Sequence, residues 1–209
     1  MNSITRFLAS ALCAAALPLV VAGCGGGGGD DDVGDNDKTI VACIGDSNTQ
    51  GYNCVGPSYP ARLAVMSGKN VKNYGVGGTT SSYGVSVIGT ALGRKPGYVC
   101  ILYGANDCIQ DIATETTVAN LRRIVQAAKN NKSKVLLATP TPMNAGHKNF
   151  NGRVTRLAAA IRTMAKEEGV ACIDLNAAFG DGTGLIGSDG LHMTDAGSDL
   201  IAKKFNSKM

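Results

Sequence analysis

The stretch TIVACIGDSNTQG, residues 39–51, joins a continuous apolar run to a polar turn bounded by glycines. The run shows no alternation of apolar and polar positions, which is typical of strands buried on both faces of a parallel sheet. Four further short β-rich apolar runs follow along the chain. The five predicted strands cover residues 39–44, 71–74, 98–103, 135–139 and 170–174.

Helical periodicity fills the segments between these strands. The predicted helices cover residues 59–66 and 81–92, two segments with clear apolar faces at 118–128 and 154–165, and a last segment that begins at Thr194. Strands that alternate with helices predict an α/β fold, here a three-layer α/β/α sandwich with a five-stranded parallel sheet in flavodoxin-like order. In such sheets, ligands bind beyond the carboxyl ends of the strands.

Four short polar stretches come just after a predicted strand or just before the last helix. They are Gly45-Asp46-Ser47, Gly77-Gly78, Gly104-Ala105-Asn106-Asp107 and Asp189-Gly190-Leu191-His192. A serine hydroxyl is a weak nucleophile unless an oriented base takes its proton. The spacing of Asp189 and His192 lets one turn of chain hold the carboxylate against one ring nitrogen while the other faces Ser47. These three residues are the candidate triad, although Asp189-Gly190 alone is also an ordinary turn.

Attack on an ester places negative charge on the former carbonyl oxygen, and hydrogen-bond donors must already point there. The candidate donors are the backbone N–H of Ser47, the backbone N–H of Gly78 and the side-chain amide of Asn106. Gly77 is the alternative to Gly78. Both glycine-containing stretches can instead be plain turns, because Asn and Gly favour positive φ.

These motifs, in this order, make the chain resemble the SGNH hydrolase family of GDSL esterases and lipases over residues 39–205. The first block of the family is matched by Gly45-Asp46-Ser47, with Asn48 where the namesake leucine stands. The second and third blocks resemble residues 73–80 and 104–107, and the Asp-x-x-His block is residues 189–192.

The resemblance implies that Ser47 is the nucleophile, that Asp189 and His192 complete the triad, and that Gly78 and Asn106 complete the oxyanion hole. Two positions depart from the common pattern: Thr79 stands where many relatives carry aspartate, and Met193 replaces a frequent proline. Neither departure removes a catalytic group.

The function expected from these features is that of a serine esterase. It would hydrolyse small or medium acyl esters through an acyl-enzyme, such as carbohydrate O-acetyl esters, lysophospholipids or thioesters. The alternative is a catalytically silent envelope lipoprotein that binds polysaccharide or peptidoglycan. No cofactor is implied, no spacing suggests a zinc site, and a monomer is expected. Nucleic acid is not an expected partner, because the basic residues are scattered and aromatics are few.

The N-terminal region predicts export. Residues 1–23 have the pattern of a signal peptide, with Arg6 before an apolar run too short to span a bilayer. The run ends in Val21-Ala22-Gly23-Cys24, which resembles a bacterial lipobox, so Cys24 is the expected lipidation site. Gly25 after the cysteine favours the outer membrane. Cleavage near Gly23 without lipidation, giving a soluble secreted protein, is the alternative.

The glycine and aspartate run of residues 24–37 predicts a flexible tether between the lipid anchor and a hydrolase domain at 38–209. Arg6 lies in the leader and five of the sixteen acidic residues lie in the tether, which leaves 19 basic and 11 acidic residues, a formal +8, for the domain. Such a charge favours anionic neighbours.

Five cysteines remain in the predicted domain, and an exported protein occupies a compartment where disulfides persist. Cys54 and Cys108 both follow strand ends, so a Cys54–Cys108 disulfide that braces the active-site loops is predicted. Cys43, Cys100 and Cys172 fall within apolar strand runs and are expected to be buried as small hydrophobic side chains.

Five further residues are weaker candidates. His147, in the loop after the fourth strand, either contacts substrate or is exposed to solvent. Tyr52, Tyr59 and Tyr103 either line the mouth of the site or pack in the core. Asp107 is expected to hold a loop together rather than to act as a base.

Overall fold

Five parallel strands form the central sheet of the protein, which the computed structural model describes over residues 33–209. The strands are β1 (Asp37–Gly45), β2 (Asn70–Gly75), β3 (Pro96–Leu102), β4 (Lys134–Ala138) and β5 (Ala171–Ile173). Their order across the sheet is β2-β1-β3-β4-β5. The predicted five-stranded parallel sheet and its flavodoxin-like order are therefore confirmed.

Eight α-helices and one 3-10 helix connect these strands within the described residues. They are α1 (Ser47–Gln50), α2 (Tyr59–Ser67), α3 (Ser81–Leu92), α4 (Ala105–Ile109), α5 (Thr114–Asn130), a 3-10 helix (Ala145–Phe150), α6 (Asn151–Glu168), α7 (Leu175–Phe179) and α8 (Asp195–Asn206). The predicted helices are α2, α3, α5, α6 and α8. The shortest ones span about one turn, too little for an apolar period to show in the sequence. In residues 33–209, no helix has the length and apolarity needed to cross a membrane.

Two apolar cores lie on opposite faces of the sheet, as the three-layer prediction requires. Helices α3, α5 and α6 contribute to the core that contains Ile44 and Ile101. Helices α2, α7 and α8 contribute to the core that contains Cys43 and Cys100. Successive residues of β1 and β3 thus enter different cores, which is why these two strands have continuous apolar sequences.

The chain changes direction across the sheet between β1 and β3. These two strands are neighbours, with Gly45 paired to Leu102, yet β1 connects outward to β2 and β3 connects outward to β4. Their carboxyl ends therefore border the crevice in which sheets of this type bind ligands. Ser47 follows β1 and Asn106 follows β3, so the topology itself brings two of the candidate residues to one place.

The described domain begins before the predicted boundary at Lys38. Val33 is buried, and the Asn36 side chain donates to the Asn131 carbonyl over 2.6 Å. Residues 33–37, assigned from the sequence to the tether, thus pack against the domain because one apolar and one amide side chain find partners there. The predicted signal peptide, residues 1–23, and Cys24 lie outside the described residues.

The predicted Cys54–Cys108 disulfide is wrong: residues 33–209 contain five cysteines, and all are free thiols. Both cysteines do follow strand ends, but on different faces of the sheet. Cys108 is buried in the core that contains Ile44. The Cys54 Sγ lies 3.2 Å from the Ser198 Oγ of α8, which packs on the other face.

Candidate active site

The candidate nucleophile sits at the start of a short helix directly after β1. Asp46 caps α1 by accepting a hydrogen bond from the Asn48 N–H over 3.0 Å, and it is buried. Ser47 is the first residue of α1 and is 6% exposed. The strand and the capped turn together fix the direction in which the Ser47 hydroxyl points.

The structure brings Ser47, His192 and Asp189 into one hydrogen-bonded line. The His192 Nδ1 lies 2.7 Å from the Asp189 Oδ2, and the His192 Nε2 lies 3.0 Å from the Ser47 Oγ. Because a carboxylate only accepts, Nδ1–H donates to Asp189, which leaves Nε2 of the neutral ring as the acceptor for the Ser47 hydroxyl. This is the arrangement of an activated serine nucleophile.

The Asp189 carboxylate is held by the loop that carries it. Its Oδ1 accepts the N–H groups of Leu191 and His192, each over 3.0 Å. Burial raises the pKa of Asp189, but hydrogen bonds from these N–H groups, from the Asn53 amide and from the His192 ring outweigh that effect and hold the pKa below its ordinary value. Asp189 therefore remains a carboxylate that can orient His192 and stabilise the imidazolium.

The candidate oxyanion donors come from the start of α1, from the loop after β2 and from α4. Within residues 33–209, the backbone N–H groups of Ser47, Gly77 and Gly78 donate to no protein acceptor. The Asn106 amide donates one hydrogen to the Thr79 carbonyl over 2.8 Å, and its second N–H is available because an amide nitrogen carries two. Of the two glycines, only Gly78 has a positive φ, at 75°.

Asp107 holds the loops of the site together, as predicted from the sequence. It is buried, and it accepts hydrogen bonds from the backbone N–H and the hydroxyl of Ser81 and from the Thr117 hydroxyl. These contacts join α4 to the first turns of α3 and α5. The Asp107 carboxylate thus fixes the position of its neighbour Asn106.

The tyrosine candidates separate into two groups. Tyr59 and Tyr103 are buried and belong to the two cores, so they pack. Tyr52 is 54% exposed, and its ring centroid lies 4.8 Å from that of His192. Tyr52 alone among the three borders the site.

Two further contacts with Asp189 come from side chains outside the candidate triad, those of His147 and Asn53. The half-buried His147 lies with its Nδ1 2.9 Å from the Asp189 carbonyl oxygen, so it is neither free in solvent nor directed at Ser47. The Asn53 amide donates to the Asp189 Oδ2 over 3.0 Å. Neither contact carries a sequence signal, because each joins segments that only the fold brings together.

A cavity of about 530 Å³ opens beside Asp189 and His192. Asn53, Ser188 and Thr194 contribute to its lining. Among residues 33–209, no group of three or more His, Cys, Asp or Glu side chains is placed to hold a metal ion.

The family model for the GDSL-like lipase/acylhydrolase family matches residues 43–200, which include all four motifs. The chain belongs to this family. The assignment confirms the resemblance to SGNH hydrolases, and members of the family are carboxylic ester hydrolases.

Individual relatives agree with this assignment. The chain is 29% identical to an acetylxylan esterase of Xylanibacter ruminicola over 204 residues, covering 80% of the chain. It spans only 42% of the length of that curated relative. A structure of a lipolytic G-D-S-L family protein from Desulfitobacterium hafniense superposes with a TM-score of 0.72 at 26% identity, covering 82% of the chain and 100% of that protein.

An acetylxylan esterase from Geobacillus stearothermophilus has the same fold. Its structure matches with a TM-score of 0.69 at 20% identity, covering 83% of the chain and 94% of that protein. The match supports the three-layer architecture described above.

The buried Asp46 predicts a pH-dependent stability. Burial, with a smaller contribution from the charge of Asp107, raises the pKa of Asp46 from 3.8 to about 7. Between these values the folded protein keeps a proton that the unfolded chain has lost, so the free energy of unfolding falls as pH rises from about 4 to about 7.

Asp46→Asn removes this titration and keeps an oxygen that can accept from the Asn48 N–H. Urea unfolding of both proteins at pH 5 and pH 8 should therefore show the variant gaining stability relative to the wild type at the higher pH. An equal difference at the two pH values would contradict the predicted effect of Asp46.

Proposed function

We propose that this GDSL-family chain is a serine esterase that cleaves small or medium acyl esters through an acyl-enzyme. The observation that carries the proposal is the line of hydrogen bonds from Asp189 through His192 to the Ser47 Oγ, at 2.7 and 3.0 Å. We assign the oxyanion hole to three N–H groups, those of Ser47, Gly78 and Asn106. The support is that the Asn106 amide lies against the loop after β2, 2.8 Å from the Thr79 carbonyl.

Catalysis follows from these contacts in two half-reactions. His192 Nε2 takes the Ser47 proton as Oγ attacks the ester carbonyl, and the oxyanion is stabilised by the three donors. The imidazolium then protonates the alcohol oxygen as the C–O bond breaks, leaving an acyl-Ser47 ester. Water, deprotonated by His192, attacks this ester, and the same proton returns to Ser47 as the acid leaves. Asp189 stays ionised throughout.

Acetyl groups on carbohydrate are the substrate class that we propose first. Two of the relatives described above are acetylxylan esterases, although the chain spans less than half of one of them and shares only the fold with the other. Lysophospholipids and thioesters are the competing substrates.

Hydrolysis of p-nitrophenyl acetate, butyrate and octanoate, beside acetylated xylan, tests the proposed function. We expect activity that is highest on acetate and that Ser47→Ala abolishes. Highest activity on octanoate would overturn the acetyl preference but not the esterase assignment. Equal rates for wild type and Ser47→Ala on every substrate would overturn the esterase assignment and favour a silent binding lipoprotein.

We also propose that the protein is exported and lipidated at Cys24, at the outer membrane. The support is the lipobox-like sequence of residues 21–24, and two or more acyl chains give stable membrane binding where one does not. Expression of the full chain in a Gram-negative host should place it in the membrane fraction, and Cys24→Ser should move it to the soluble fraction. The same distribution for both proteins would contradict lipidation.

A further inference from the structure

The Asp189 carboxylate has a hydrogen-bond donor that the triad does not require. Its Oδ1 accepts two backbone N–H groups of its own loop. Its Oδ2 accepts from the His192 ring over 2.7 Å and from the Asn53 amide over 3.0 Å. Asn53 is thus the one donor to this carboxylate, among residues 33–209, that comes from outside the 189–192 loop.

The main chain of that loop is fixed separately, by the segment after β4. His147 Nδ1–H donates to the Asp189 carbonyl over 2.9 Å, and the Asn144 N–H donates to the Gly190 carbonyl over 2.7 Å. Gly190 has a φ of 77°, and a Cβ there would collide with the Asn144 carbonyl. With the main chain held in this way, the remaining freedom at Asp189 is rotation of its carboxylate, which Asn53 restrains.

The loop that presents Asn53 is itself anchored beside the site. The Gly56 N–H donates to the Asp195 Oδ1 over 2.8 Å, and Arg62 forms an ion pair with the same oxygen at 3.2 Å. Asp195 begins α8, three residues after His192. The loop that carries Asn53 and the segment that carries His192 are therefore both connected to the N-terminus of α8. This connection sets the direction from which the Asn53 amide approaches Asp189.

We propose that Asn53 is a positioning residue that holds the Asp189 carboxylate in line with His192 Nδ1. The proposal rests on the esterase function proposed above. Asp189 is 34% exposed at its side chain, so water reaches the carboxylate when the amide is removed. Water can replace the hydrogen bond to the carboxylate but does not hold the carboxylate in one orientation. Removing the amide should therefore weaken the alignment of His192 during proton transfer.

Two substitutions change the Asn53 amide while keeping the backbone conformation of residue 53. Asn53 has a φ of 58°, which glycine and aspartate adopt readily. Asn53→Gly removes the donor, and Asn53→Asp replaces it with a second carboxylate of the same shape. Lys95→Gly is the matched control, because Lys95 has a φ of 48° and lies just before β3, at the opposite end of the sheet from the site.

For p-nitrophenyl acetate, we expect Asn53→Gly to lower kcat about fivefold, the effect of losing one modest hydrogen bond, with KM unchanged. We expect Asn53→Asp to move the acid-side midpoint of the kcat/KM profile to higher pH, because added negative charge favours the protonated form of the base. Lys95→Gly should change neither quantity.

A second readout does not depend on ester hydrolysis. The low-field proton NMR signal of the His192 Nδ1–H bound to Asp189 should shift or broaden in Asn53→Gly and stay in place in Lys95→Gly. If the wild type hydrolyses no ester, the esterase proposal fails, and the NMR comparison still decides the positioning role. An unchanged kcat, pH profile and proton signal in both Asn53 variants would overturn the proposed positioning role of Asn53.

Discussion

His192→Ala is expected to lower kcat for p-nitrophenyl acetate by about 10⁴-fold or more, which is the scale seen when a triad base is removed. Without the imidazole, the Ser47 hydroxyl has no acceptor at 3.0 Å to take its proton, and no acid protonates the leaving alcohol. The remaining rate would come from the oxyanion donors and from binding, so KM should change little. Steady-state kinetics with the purified domain measures both constants.

His147→Ala is the matched comparison, because the chain has only two histidines. His147 contacts the Asp189 carbonyl and not Ser47, so its removal should cost less than about tenfold in kcat, the scale of one hydrogen bond. Similar losses in the two histidine variants would contradict the assignment of His192 as the base.

Asn106→Ala is expected to lower kcat by about 10²- to 10³-fold, the effect of removing one oxyanion donor. We expect the Asn106 amide N–H that is not bonded to Thr79 to interact most strongly with the substrate carbonyl oxygen when that oxygen carries developing negative charge. The loss should therefore appear in kcat and in kcat/KM alike, with KM nearly unchanged.

Asn36→Ala is the matched control, because it removes an asparagine amide and its hydrogen bond at a position outside the site. Asn36 also donates to a backbone carbonyl, that of Asn131 at 2.6 Å, but it lies before β1, at the end of the sheet away from Ser47. This variant should lose stability and keep its kcat. A rise in KM with unchanged kcat in Asn106→Ala would instead mean that Asn106 binds the ground state of the substrate.

The sequence predicted the sheet well because β1, β3 and β4 contain runs of buried residues, which appear in the sequence as continuous apolar stretches. The β1 run at 39–44 lies within the observed Asp37–Gly45, and helix α3 was predicted at its observed bounds, 81–92. The location of the site then followed from the topology, because the carboxyl ends of neighbouring parallel strands lie at the same edge of the sheet. This is why residues as distant in sequence as Ser47 and Asn106 could be placed in one site.

The contacts that the sequence did not predict correctly depend on the direction in which loop side chains point, and the order of residues along the chain does not give that direction. Cys54 and Cys108 follow strand ends, but their side chains enter opposite layers, and the sequence pattern does not report the layer of a loop residue. The Asn53–Asp189 hydrogen bond joins residues 136 positions apart through two irregular loops. Loops lack the periodicity from which such a pairing could be predicted.

The central claim is that Ser47 becomes covalently acylated, and a covalent label tests it most directly. The purified domain should be treated with a fluorophosphonate, which reacts with activated serine hydroxyls, and digested for mass spectrometry. We predict a single adduct on the peptide that contains Ser47, and its loss in Ser47→Ala and in His192→Ala. An unlabelled Ser47, or an adduct that persists on another serine in both variants, would contradict the account.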